Sequence, residues 1–401
     1  MLVKYALKRE VVIGERPIGV SVLGSTGSIG CSTLEVIRSN PELFQVTVLS
    51  ANSNWELLLE QINEFKPRFA VLNDATAVKE ILHSHTHSGT HVLEGEDALN
   101  DILFEDGSEI TVIAIVGIAA LRPLLAALKS KKRIALANKE CVVAAGSLLK
   151  AAVEKYQGVI IPVDSEHSAL FQVIQGESTA DVSRLILTAS GGPFYRTPVE
   201  KMATIQPAEA VKHPNWNMGA KISVDSATMV NKALELIEAC RLFNLTEDRV
   251  DVLVHPQSIV HSLVAFNDGT QKAQLSVPSM TGPIAYALTY PHGRLPSAMA
   301  ELNLAESGVL EFEALDNERF PAVQTARECL RASDGHCAVF NIANEVAVAA
   351  FLEGQLSFDR IVPFVRRAVS EFGDSFRVSS PESLDALWNE TRERLFECSS
   401  F

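Results

Sequence analysis

The sequence predicts an α/β chain in three parts: a doubly wound parallel sheet, an α+β middle and a C-terminal helical bundle. Three observations predict it. From Ile18 to about residue 163, short β-rich apolar runs alternate with amphipathic helical stretches, the rhythm of buried parallel strands with helices on both faces. After about residue 180 the strand candidates crowd together and several alternate in polarity, as a mixed sheet does. Beyond residue 321 each periodic stretch is helical.

In order, the first strands are "IGVSVLG", "QVTVLSA", "FAVLN", "EITVIAIVG", "RIALAN" and "GVIIPVDS", with "STLEVIRSN", "WELLLEQINEF" and "LRPLLAALKSKK" as helices between them. The middle offers "SRLILTAS", "AKISVDS", "RVDVLVHP", "SIVHSLVAFNDG" and "TQKAQLSVPSM" as strands, and "NDGT" (267–270) reads as a hairpin turn. A proline-rich, irregular stretch from about Tyr290 to Pro321 reads as a linker. The last helix opens with Ser380 as N-cap before Pro381. These readings divide the chain into an extension (1–17), a nucleotide-binding domain (18–163), a substrate domain (164–290), a linker (291–321) and a helical domain (322–401).

Length and charge narrow the function. With 401 residues the chain exceeds one ordinary core. A formal net charge of −14 argues against nucleic acid or an anionic membrane as the main partner. A small anionic substrate needs a local reversal of that field. Six scattered cysteines without a C-x-x-C pair read as reduced thiols in a cytosol-like compartment. No apolar run reaches membrane-spanning length, so no transmembrane helix is expected. "MLVKYALKREVVIGER" lacks the apolar core of a secretory signal, while its basic residues leave the remnant of an organelle-targeting segment open.

"IGVSVLGSTGSIGCSTLEVI" runs strand, glycine loop, helix, with Gly24, Gly27 and Gly30 at the turn. Such a loop lets the backbone approach a pyrophosphate at a helix N-terminus, so the first part reads as Rossmann-like and dinucleotide-binding. At the tip of the second strand, Asn52, Ser53 and Asn54 stand where NAD-binding proteins usually carry an acid. The missing acid favours NADPH over NADH.

"PVDSEH" sets Asp164 and Glu166 two apart, which in an extended segment aims both carboxylates to one side. In "KISVDSATMVNKALELIEACRLF", a strand is expected to become a helix near Ala227, with Asn231 and Glu235 one turn apart and Lys232 beside them. Three carboxylates without sulfur or imidazole make a hard-oxygen site suited to Mg²⁺ or Mn²⁺. The competing reading makes Lys232 and Glu235 a surface ion pair and the acids near 164 helix caps. "TASGGPF" ends a strand in Ser190 and two glycines, and Ser190, Ser226, Asn231 and Lys232 are candidate phosphate donors. "KHPNWNMG", within about 206–220, reads as a lid carrying His213, Trp216 and Met218.

"GSTGSIG", "ANKE", "PVDSEH", "SGGPF", "HPNW", "MGAKISVDSATMVNK", "HPQS" and "NIANE" follow one another in a single order. Together they resemble the 1-deoxy-D-xylulose 5-phosphate reductoisomerase family over nearly the whole chain from Gly19. The resemblance implies rearrangement of 1-deoxy-D-xylulose 5-phosphate and NADPH-dependent reduction to 2-C-methyl-D-erythritol 4-phosphate, in the non-mevalonate (MEP) isoprenoid route. It implies Mg²⁺ or Mn²⁺, with Co²⁺ as a third candidate, held by Asp164, Glu166 and Glu235, with Lys139 also catalytic. Substrate contacts would come from Lys139, Ser165, Glu166, Ser190, His213, Ser226, Asn231, Lys232 and Glu235. The cofactor would meet Thr26, Gly27, Ser28, Ile29, Asn52, Ser53, Asn54, Asn138, Glu140 and Gly219. A cytoplasmic homodimer is implied. Asn52 stands where many members have glycine, and Ser53 where some have lysine.

Two other functions fit parts of the pattern: a metal-independent NADPH dehydrogenase of the homoserine or semialdehyde type, and a non-catalytic dinucleotide sensor. "HSHTHSGTH" groups His83, His85, His87 and His91, which read as a solvated loop rather than a second metal site. His255 and His261 read as hydrogen-bonded structural histidines.

Overall fold

The computed structural model describes residues 16–84, 89–212, 216, 218–375 and 377–398. Most of the N-terminal extension, together with His85, His87 and His213, lies outside the described residues.

Seven strands form the first sheet: β1 (Ile18–Leu23), β2 (Phe44–Ala51), β3 (Phe69–Leu72), β4 (His91–Glu94), β5 (Ile110–Ile113), β6 (Arg133–Leu136) and β7 (Val159–Pro162). Their order is β4-β3-β2-β1-β5-β6-β7, and every pair is parallel. The chain leaves β1 toward β2 and returns on the other side at β5, so a crevice opens at the carboxyl end of β1. Continuous apolar runs such as Val20, Val22 and Leu23 are buried, as strands covered on both faces require. Pro162 ends β7, an edge strand where a missing N–H costs no ladder bond.

The second sheet is mixed: β8 (Val182–Ala189), β9 (Val250–Val254), β10 (Val260–Phe266), β11 (Gln271–Leu275) and β12 (Glu313–Ala314), in the order β11-β10-β8-β9-β12. The 267–270 turn joins β10 to β11 as expected, with Gly269 at φ +87.

Three expectations are corrected. "AKISVDS" is not a strand: Ala220–Ala227 is a helix, and Val230–Phe243 a second one. Its Ser223 and Asp225 are buried with local partners, Ser223 bonding Gly219 O and Asp225 bonding Lys221, so the I-x-V alternation marks no exposed face. The 291–321 stretch is not structureless, since β12 pairs antiparallel with β9. One helix, Asp334–Leu352, is long and apolar enough to cross a membrane, but 78% of its apolar window is buried inside the protein. It packs against the Glu140–Tyr156 and Ile361–Phe372 helices, as a core helix.

Glu345 on this core helix has its pKa pushed up to about 7 by burial, opposed by Lys221 and reinforced by the Glu140 and Asp225 carboxylates. A folded pKa above the ordinary value means that the folded state binds the proton more tightly. Its stabilisation is therefore whole below the unfolded pKa of 4.5 and fades as pH rises through about 7. Glu345→Gln, neutral at any pH, should gain melting temperature over the parent as pH rises from 5 to 8. Parallel melting curves across that range would refute it.

Candidate active site

The glycine loop follows β1 at the crevice. Gly24 sits at φ +85, where an added Cβ would lie 2.7 Å from Ala114 backbone. A Cβ on Gly30 would lie 2.3 Å from Gly24 O, so glycine there lets the Ser28–Arg38 helix close onto the strand. Gly27 is the N-cap, leaving the first-turn amides facing the crevice without an acidic side chain in that turn. Of the β2-tip residues, Asn52 and Ser53 are exposed, while Asn54 caps the Trp55–Phe65 helix by accepting from Leu57 N at 3.3 Å. Asn138 ties the loop after β5 to the end of β6: its Nδ2 donates to Ile115 O (2.9 Å) and Gly117 O (2.8 Å). Its Oδ1 accepts from Cys141 N at 2.8 Å.

Asp164 leaves β7 as the N-cap of the Ser165–Val173 helix, its Oδ1 accepting from Glu166 N at 3.2 Å. The expected extended D-S-E segment is thus a helix start, because a short acid after a strand captures the free amides of the next turn. Capping and convergence coexist. Oxygens of Asp164, Glu166 and Glu235 all lie within 4.8 Å of one another. Glu235 and Lys232 are 1% and 4% exposed, so their pairing is buried rather than superficial.

Two lysines stand among the acids. Lys139 Nζ donates to Asp164 Oδ2 (2.8 Å), Asn231 Oδ1 (2.9 Å) and Glu235 Oε1 (3.1 Å). Lys232 Nζ donates to Glu166 Oε1 at 2.7 Å and also to Glu235. Although burial opposes it, the Asp164 and Glu235 carboxylates raise the Lys139 pKa well above its usual value. Asp164 is held well below the usual carboxylate range against its burial, by Lys139 and His167. Glu235 is pushed up by burial and by the Asp164 and Glu166 charges, with the lysines opposing.

His167, fully buried, donates from Nδ1 to Asp164 Oδ1 (2.9 Å) and from Nε2 to Glu235 O (3.0 Å), which joins the two acid-bearing segments. Both ring nitrogens donate, as an imidazolium does. Burial opposes its charge, but Glu238 and Asp164 raise its pKa to about 9. Three carboxylates converging through oxygen alone fit a hard divalent cation.

A cavity of about 230 Å³ is lined both by this cluster and by Ser28 and Ile29 of the glycine loop, together with Ser190, Ser226 and Lys232. Gly192, at φ +67, would place a Cβ 2.8 Å from Ser226 O, so the S-G-G turn brings Ser190 beside the Ser226 helix. Asn231 and Ser165 also line the cavity, as do Trp216, Met218 and Gly219 on one wall. Thr26, Gly27, Asn52, Ser53, Asn54, Asn138 and Glu140 do not.

Models of three segments of one family match residues 20–146 (1-deoxy-D-xylulose 5-phosphate reductoisomerase), 160–243 and 275–394 (its C-terminal domains). The chain belongs to the 1-deoxy-D-xylulose 5-phosphate reductoisomerase family. A reductoisomerase of Chlorobium limicola is 47% identical over 379 residues, 94% of this chain and 98% of that one. One from Cellvibrio japonicus is 45% identical over 383 residues, 93% and 95% of the two chains. The solved Zymomonas mobilis reductoisomerase in complex with NADPH matches with a TM-score of 0.89 at 40% identity, covering 96% of this chain and all of that one. A reductoisomerase structure with NADPH, fosmidomycin and magnesium matches at 0.88 and 38% identity, covering 95% and 98%.

Sequence reasoning missed several cavity walls: Ser258, Met280, His255 and His261. The two histidines do have structural bonds. His255 Nδ1 donates to Glu311 O at 2.7 Å and its Nε2 accepts from Ile259 N at 3.2 Å. His261 faces Trp216 edge-on at 6.4 Å, and burial lowers its pKa to about 4, so it is neutral near pH 7. Only "HPQS" marked this corner in the sequence, and it carries no ligand spacing.

Proposed function

We infer that this chain is the NADPH- and divalent-metal-dependent enzyme that rearranges 1-deoxy-D-xylulose 5-phosphate and reduces it to 2-C-methyl-D-erythritol 4-phosphate, in the MEP isoprenoid route. One observation carries the reading: three carboxylates converge in the same cavity as a glycine-loop helix start. A simple dehydrogenase or a dinucleotide sensor has no use for that cluster. When bound, the cation supplies Lewis acidity at the substrate's carbonyl and neighbouring hydroxyl, and NADPH supplies the hydride.

The chain's residues then divide the work. Asp164, Glu166 and Glu235 would hold Mg²⁺ or Mn²⁺, with Co²⁺ also accommodated by such a donor set. Ser190, Ser226, Asn231 and Lys232, with His213 from the lid, would bind the phosphate and spend its binding energy on positioning. Ser165 and Lys139 would meet the reacting end, the Lys139 ammonium steadying negative charge that develops on oxygen. Thr26, Gly27, Ser28, Ile29, Asn52, Ser53, Asn54, Asn138, Glu140 and Gly219 would bind NADPH. Trp216 and Met218 would exclude water as the lid closes. The five cysteines with described side chains are free, which supports a reducing, cytosol-like setting. A homodimer is supported by the exposed apolar side chains of Leu304, Val309 and Phe312 on one short segment.

Purified protein given 1-deoxy-D-xylulose 5-phosphate, NADPH and Mg²⁺ should consume absorbance at 340 nm (roughly the reduced nicotinamide band). EDTA should stop the reaction, and excess Mg²⁺ should restore it. Oxidation that persists in EDTA would favour the metal-independent dehydrogenase.

A further inference from the structure

The Glu140–Tyr156 helix, which begins one residue after Lys139, is broken inside its buried half: Ala145 sits at φ −126, ψ 30. A break in the i→i−4 ladder exposes backbone groups that must find other partners when buried. In an unbroken helix Ser147 N–H would serve Val143 O. Here it donates to Asp334 Oδ2 at 3.1 Å. The Val142 and Val143 carbonyls accept instead from Arg241 Nη1. Arg241 Nη2 closes the circuit, donating to Asp334 Oδ1 at 2.6 Å. Gly146 leaves room for this, since a Cβ there would lie 2.3 Å from Arg241 Cδ.

Arg241 sits on the Val230–Phe243 helix, the one that carries Asn231, Lys232 and Glu235, and Asp334 opens the core helix of the C-terminal part. The broken helix is therefore fastened to the acid-bearing helix on both sides of its first turn, by Lys139 Nζ on Asn231 and Glu235 and by the Arg241 guanidinium on Val142 and Val143. Neither Arg241 nor Asp334 lines the cavity.

We propose that Arg241 and Asp334 are positioning residues: their ion pair splints the broken helix and so fixes Lys139 against Glu235. A lysine at 241 keeps the charge but cannot span two carbonyls and a carboxylate. An asparagine at 334 can accept from Ser147 N–H or from Arg241, but not from both with two oxygens. The proposal rests on Lys139 acting in the site, so Lys139→Met is assayed alongside.

The experiment uses the full chain with Mg²⁺, NADPH and 1-deoxy-D-xylulose 5-phosphate. Arg241→Lys and Asp334→Asn should each lower kcat about tenfold or more, with KM for both substrates within about twofold and an unchanged far-ultraviolet circular dichroism spectrum. Arg241→Ala should regain turnover on addition of guanidinium at non-denaturing concentration, which a general packing defect would not. Turnover within about twofold of the parent in both conservative variants overturns the proposal. So does a kcat loss matched by an equal loss of folded protein with no guanidinium rescue. If Lys139→Met is slow while the 241 and 334 variants are normal, the splint alone fails. If Lys139→Met turns over normally, the role given to Lys139 fails first and the splint falls with it.

Discussion

Glu235→Gln is expected to lower turnover by on the order of 10²–10³-fold while leaving NADPH affinity within about twofold. The glutamate is almost fully buried, and its oxygens are shared between Lys139, Lys232 and Asn231. Glutamine keeps its volume and one acceptor but removes the charge that completes the oxygen set. It lines the cavity among the acids, whereas Ser28 and Ile29 line it from the glycine loop. Damage should therefore fall on the Mg²⁺ requirement and on kcat, not on cofactor binding. Cofactor affinity is read from nicotinamide fluorescence and turnover from NADPH consumption at saturating Mg²⁺. A variant with parental turnover would take Glu235 out of the metal shell.

Lys139→Met should be nearly as slow, with a loss of about two orders of magnitude. Its ammonium is the donor that reaches Asp164, Asn231 and Glu235 together. Removing it takes away a positive charge that repels an entering divalent cation. Half-maximal activation should thus occur at equal or lower Mg²⁺, even as kcat drops. That opposite movement of two parameters separates a lost reacting group from a collapsed site, in which activation would need more Mg²⁺. A fall in both turnover and Mg²⁺ affinity would count against the role given to Lys139.

Much of this was legible in the sequence because the relevant signals were local. The glycine spacing of 24, 27 and 30 announced a tight strand-to-helix turn, and the runs around Val20 and Val112 announced buried parallel strands. Other features depend on distant partners. "AKISVDS" alternates like a strand, yet its Asp225 is buried because Lys221 and Asn344 pair with it, the latter at 2.7 Å and 119 positions away. His261 became a cavity wall only when β10 folded beside β8, and His255 only when β9 did. The break at Ala145 left no proline or paired glycines as a sequence mark, and the arginine that takes up its freed carbonyls lies almost a hundred residues downstream. The carboxylate trio was named from its residues, but its separation depends on β7 and the Val230–Phe243 helix coming together.

The lysines lodged among those carboxylates bear on how the molecule comes to be loaded. Zinc-finger chains stay unfolded until an ion arrives, because nothing else balances their ligands. Here Lys139 and Lys232 stand against the acids, so the fold carries within itself the positive charge that those chains must await from an ion.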